Sequence, residues 1–103
     1  MDLGEDVHVI CGRFPEKEVF NLTSQMRRAM DSVALNIAEG SIGQSIAEQK
    51  RFVSYAIRSL AEVVTCLHKA RRRDYVDNGV FNEKYLEAFH LMNMLIGFRN
   101  NVR

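Results

Sequence analysis

A chain of 103 residues, 47% hydrophobic and 26% charged, is long enough for one modest core and too apolar for a disordered segment. Its formal net charge of +1 supplies no global pull toward nucleic acid, so any such role needs a local patch. Six Gly and one Pro leave too few chain breakers for the turns of an all-β domain, and an all-α fold over residues 1–103, as one domain, is expected.

In chain order, the amino terminus carries Asp2, Glu5 and Asp6 where a signal peptide needs a basic and then an apolar segment. No apolar run in the sequence reaches bilayer length, so a cytoplasmic location and no membrane partner are expected. Leu3, Val7, Ile10 and Cys11 mark a short first helix that stops at Gly12-Arg13-Phe14-Pro15. Leu22, Met26, Ala29, Met30, Val33 and Ile37 mark a second, with Thr23 as its cap and Gly40 ending it in a left-handed turn. After a short loop from Ser41 to Ser45, the capping box Ser45-Ile46-Ala47-Glu48 starts the longest helix, which runs to about Arg73, roughly 40 Å at 1.5 Å per residue.

Two apolar tracks run along that third helix, one from Ile46 through Val53, Ile57, Leu60, Val64 and Leu67 and the other through Phe52, Ala56, Val63, Cys66 and Ala70. So wide a face touches two neighbouring helices, or one neighbour and a second subunit. Asp77-Asn78-Gly79 then breaks the chain, and Phe81, Tyr85, Phe89, Met92, Leu95 and Ile96 form one stripe on a last helix. Short loops force antiparallel neighbours, so the expected fold is an antiparallel up-down four-helix bundle with a short first helix. The stunted helix leaves apolar surface on the longer ones without cover, and self-association follows. Cys11 and Cys66 fall at apolar helical positions without CxxC spacing and read as reduced core thiols.

Two Glu-x-x-His pairs, Glu5 with His8 and Glu87 with His90, have the spacing of carboxylate-bridged di-iron bundles. The apolar stripe turns Glu87 and His90 outward, and Glu5 lies opposite Leu3, so solvated faces are the expected reading and no metal is assigned. The sequence contains no nucleophile elbow, phosphate-cradling loop, zinc helix or activated cysteine, so no catalytic residue, cofactor or small-molecule substrate is assigned. Lys69, Arg71, Arg72 and Arg73 form the one dense basic run. At a helix carboxyl end these cations complement the dipole, and they also offer phosphate contact, which Arg13, Lys17 and Arg99 would extend. No alternation of arginine with aromatics appears, so base stacking is not expected.

Phe14-Pro15, then Leu22-Thr23-Ser24-Gln25-Met26-Arg27-Arg28-Ala29, Ser32, Asn36-Ile37-Ala38-Glu39-Gly40 and Arg58-Ser59-Leu60-Ala61-Glu62 resemble the 23S rRNA intervening-sequence protein family of bacterial four-helix bundles. The resemblance runs in order along essentially the whole chain. It implies an up-down bundle, a homopentamer, and genes that in some members lie inside inserts in 23S rRNA genes. Accessory proteins of diversity-generating retroelements, which work with a reverse transcriptase and RNA, are similar to the same bundle. The departure is at the start: the family's first helix is longer, which leaves open whether Met1 begins helix one.

Folding the second helix on the third sets Asp31 level with Arg58, Glu39 with Lys50 or Arg51, and Arg28 within a turn of Glu62. Glu39, a carboxylate in a last helical turn, needs a compensating donor. Asn36 is expected to bond backbone near the loop, and Ala29, Ala34 and Ala38 to admit close helix approach. Gln25, Arg28, Asp31, Asn36, Glu39, Gly40, Arg58 and Glu62 are therefore read as fixing fold and register rather than as a binding site. The function expected is a non-enzymatic oligomeric bundle that binds RNA or a nucleoprotein through its Lys69 to Arg73 end. The alternative is a structural adaptor that binds another protein through exposed helix faces.

Overall fold

Local chemistry sets the helix ends. In the computed structural model, which describes residues 2–43 and 45–101, the helices are α1 (Leu3–Gly12), α2 (Leu22–Ser41), α3 (Ile46–Arg72) and α4 (Asn78–Asn101). One 3₁₀ turn, Glu16–Glu18, precedes α2, and the described residues contain no strand. Met1 lies outside the described residues, and α1 begins at Leu3 behind Asp2. Asp2 Oδ1 accepts the Glu5 N–H at 2.9 Å to cap α1, and Ser45 Oγ accepts the Glu48 N–H at 3.0 Å to cap α3. Among the described residues no helix is long and apolar enough to cross a membrane.

Three ends differ from expectation. Thr23 does not cap α2: it lies buried in the first turn with an unpartnered Oγ1, while Asn21 holds the cap position without a side-chain bond to the helix backbone. Gly40 is not a left-handed terminus: it is helical and buried, and α2 continues to Ser41. A Cβ at Gly40 would meet Phe52 Cβ at 3.5 Å and Val53 Cγ2 at 3.6 Å, so this glycine marks a close approach of α2 to α3. The stop after α3 is Asp74, at φ 60°, not Asp77-Asn78-Gly79. Asp74 N–H bonds Arg71 O at 3.0 Å and Tyr75 N–H bonds Ala70 O at 2.8 Å, which is the Schellman pattern with aspartate where glycine usually sits. Asp77 caps α4 through the Val80 N–H at 2.8 Å, so Asn78 and Gly79 open the last helix instead of breaking the chain.

α2 packs on α3, α3 on α4, and α1 lies against α2 and α4, giving the antiparallel four-helix arrangement. Val7, Leu22, Met26, Leu60, Val63 and Leu67 are sealed from solvent at its centre. The inward face of α4 is turned from the expected stripe: Phe81, Lys84, Ala88 and Leu95 are buried, while Tyr85 and Phe89 are exposed. Ala34 and Ala38 also face outward, so close approach of α2 rests on Ala29 and Gly40.

The helical φ at Gly40 and ordinary contact distances for an added Cβ predict that Gly40→Ala raises stability by up to about 1 kcal/mol through helix propensity. Gly40→Leu must displace Phe52 or Val53 and lowers it by roughly 1–3 kcal/mol. Urea unfolding of both variants checks this, and a loss of stability in Gly40→Ala would restore the left-handed end.

Candidate functional site

The helical twist divides the basic run at the end of α3 among several surroundings. The Arg71 guanidinium lies over the ring of buried Phe81, 3.8 Å from its centroid. Arg73 Nη1 donates to Glu18 Oε2 at 3.0 Å. Lys69 and Arg72 are exposed, as are Arg13 and Lys17. Arg99 does not extend this patch: its guanidinium lies 3.5 Å from Ser54 Oγ, near the other end of α3.

Glu18 organises this end of the bundle. It is only 5% exposed and accepts from Tyr75 Oη at 2.7 Å and Arg73 Nη1 at 3.0 Å on one oxygen, and from Asn21 Nδ2 at 3.1 Å on the other. Tyr75 in turn packs on Phe14, with ring centroids 5.4 Å apart. The turn before α2 is thereby tied to the turn after α3. The tyrosine hydrogen bond holds the Glu18 carboxyl below its ordinary value of 4.5, assisted by the Arg73 charge against the opposing effect of burial. The same bond raises the Tyr75 hydroxyl above its ordinary 10.0.

The polar residues of α2 and α3 meet differently from the expected register. Ser32 Oγ and Ser59 Oγ are hydrogen-bonded at 2.7 Å across the helices. Asn36 Nδ2 donates to Ser32 O at 2.8 Å and Ser32 Oγ at 3.1 Å, so it bonds one turn back along α2 rather than at the loop. Asp31 faces α1, with its Oδ1 3.0 Å from His8 Nε2, and Arg58 lies 5.9 Å from the ring of Tyr55. Arg28 and Glu62 line one shallow depression of about 240 Å³ with Ala29, Ser32 and Ser59. Among the described residues no ion pair joins Asp31 to Arg58, Glu39 to Lys50 or Arg51, or Arg28 to Glu62. Glu39 is exposed at the surface, where water solvates the charge, and Gln25 is half-buried.

Lys84 is the ionic centre that sequence periodicity missed. Lys84 is 6% exposed on the inward face of α4, and its ammonium donates to Asp6 of α1, to Glu83 at 3.2 Å and to Glu87 at 3.1 Å. Burial works to lower its pKa, but the hydrogen bonds it donates to Asp6, Glu87 and Glu83 outweigh it and hold the group above its ordinary value. In the two Glu-x-x-His pairs, Glu87 accepts from Lys84 and His8 meets Asp31. Cys11 is buried and its thiol is pushed up to about 11 by desolvation; burial also raises Cys66. Both remain protonated, the opposite of an activated nucleophile.

With these helices and contacts in place, a family model described as 23S rRNA-intervening sequence protein matches residues 1–97. The chain belongs to that family. No curated protein matches it. Two open grooves among the described residues of this intervening-sequence protein are apolar rather than ionic. One groove of about 210 Å³ between α3 and α4 is lined by Ala61, Val64, Tyr85 and Phe89. A second, of about 300 Å³, runs between α2 and α4 and includes Ile37, Gly40, Leu91, Met94 and Phe98.

Because Glu18 is held below 4.5 in the folded chain, its contribution to stability is present above that pH and is lost as pH falls through the lower folded value. Glu18→Gln is therefore less stable than wild type at pH 7, and the gap closes below about pH 4.5; a gap unchanged at pH 3 in urea melts would contradict this. Lys84→Met leaves three carboxylates around an uncompensated site and lowers stability by about 1–3 kcal/mol, read as a fall in urea midpoint at neutral pH.

Proposed function

We propose that this intervening-sequence protein is a non-enzymatic scaffold that assembles with copies of itself, as the homopentamer its family resemblance implies, and contacts RNA or a nucleoprotein through its basic end. One observation carries the assembly: α4 is apolar on both flanks of its buried face. Tyr85 and Phe89 emerge on the α3 side, and Met94, 70% exposed, and Phe98 on the α2 side. A helix apolar around so much of its circumference belongs inside an assembly.

The non-enzymatic reading rests on how the reactive groups are engaged. Glu18, Lys84 and His8 each join one structural element to another, and both thiols are held protonated. Exposed Lys69 and Arg72 support the RNA contact, since they share one face of α3 at i,i+3 and neither appears in an ion pair among the described residues. A ring would repeat that pair around its axis and multiply a weak phosphate affinity.

Light scattering at micromolar concentration is expected to give a mass several times 11.8 kDa, and Phe89→Asp with Met94→Asp to reduce it to one folded subunit. For RNA, log affinity falls linearly with log salt, and Lys69→Ala with Arg72→Ala flattens the slope by about 2. Arg71→Ala and Arg73→Ala lose fold contacts as well, so they also lower stability. The groove between α2 and α4 has an almost wholly apolar lining, which favours a second reading, an adaptor for another protein. A wild-type mass of one subunit together with no salt-dependent RNA affinity would select it.

A further inference from the structure

We propose that Phe20 is a stacking platform for an unpaired base, so that the nucleic acid taken at the basic end is single-stranded. This rests on the RNA contact proposed above and specifies its substrate class. Phe20 is 98% exposed, more than any other large apolar side chain among the described residues. Isolated exposed hydrophobics are ordinary, but this one is held out by a rigid base. Two residues before it, the Glu18 carboxylate is fixed by Tyr75, Arg73 and Asn21; two residues after it, Leu22 is fully buried. The Asn21 N–H bonds Glu18 O at 2.9 Å across Phe20 itself. The ring therefore projects from a turn clamped on both sides, and presenting it to a ligand needs little further ordering of the backbone.

The surroundings choose the ligand. The Glu18–Arg73 bond brings this turn to the end of α3, where Arg72 is exposed, and Lys17 is exposed in the same turn. Glu16 and Asp74 also lie at this end, whereas the Glu18 charge is neutralised by Arg73. An aromatic face at the same end of the bundle as exposed cations matches a ligand that offers flat π faces and phosphates together, as an unpaired strand does. A duplex keeps its base faces stacked inside and presents only phosphates and groove edges. The linear sequence conceals that the two share one end of the bundle, because Phe20 and Arg72 are far apart in the chain.

The test is fluorescence anisotropy with a labelled twelve-nucleotide oligouridylate and a labelled RNA duplex of equal length, at two salt concentrations. Wild type, Phe20→Ala, Phe20→Trp and Arg72→Ala are compared, with melting curves and light scattering on each. Phe20→Ala is expected to melt and assemble as wild type, to weaken oligouridylate binding by about 5- to 150-fold, and to leave duplex binding unchanged. Phe20→Trp retains binding, and its emission is quenched when the oligouridylate is added. Stacking is overturned if Phe20→Ala leaves oligouridylate affinity intact while Arg72→Ala weakens both RNAs, an outcome that preserves the RNA contact. If wild type binds neither RNA, the RNA contact and the stacking fall together. If Phe20→Ala lowers the assembly mass, Phe20 is a subunit contact and the stacking role is rejected.

Discussion

A ten-residue helix cannot cover partners of 20, 27 and 24 residues, and most of the distinctive features of this bundle follow from that mismatch. At 1.5 Å per residue α1 spans about 15 Å, against roughly 30 to 40 Å for the others. It fills the position between α2 and α4 at one end only. Beyond its start, the same position is an open apolar groove whose walls are Ile37 and Gly40 of α2 and Leu91, Met94 and Phe98 of α4. Residues that a full-length fourth helix would bury are left facing water.

A short helix also has little apolar area with which to hold itself in place. Val7, Ile10 and Cys11 are its buried residues, and polar contacts add to them on both sides. Asp6 meets Lys84 of α4, His8 meets Asp31 of α2, and Arg27 Nη2 donates to the His8 carbonyl at 3.4 Å. The Arg27 charge near the carboxyl end of α1 compensates for the absence of a basic residue in its own last turn. The chain then passes through Phe14 and Glu18, which are anchored on Tyr75 and Arg73. One end of the molecule is thus locked by buried ionic and aromatic contacts, whereas the other exposes apolar surface.

Helix number, order and the α3 cap were legible because they depend on local periodicity and on side chains three residues apart. Ser45 with Glu48 is such a pair, and the two tracks of α3 supplied Val53, Leu60 and Leu67 to the core. What depends on a distant partner was not legible. Lys84 reads as a surface residue until Asp6, some eighty residues earlier, is placed beside it. With lysine turned inward, the face of α4 rotates and Tyr85 and Phe89 move outside. Gly40 has the composition of a helix stop, and only the proximity of Phe52 and Val53 shows it as a packing position. Thr23 has the composition of a cap, yet the carboxylate at that end is Glu18, which a 3₁₀ turn brings there.

The basic run shows why composition alone misjudges a charged patch. Five consecutive positions on a helix point in directions about 100° apart, so Lys69, Arg71, Arg72 and Arg73 cannot act as one surface. The structure gives Arg71 to the face of Phe81 and Arg73 to Glu18, where each reinforces the junction between α3 and its neighbours. Lys69 and Arg72 point to solvent. Two cations per chain are a weak anchor for a polyanion, since an exposed charge pair contributes little in water and less in salt. A phosphate-binding role therefore demands repetition of the pair or a second kind of contact beside it. The uncovered flanks of α4 bear on the first requirement and the clamped, exposed ring of Phe20 on the second, so the apolar surface and the charged surface are coupled parts of one binding problem.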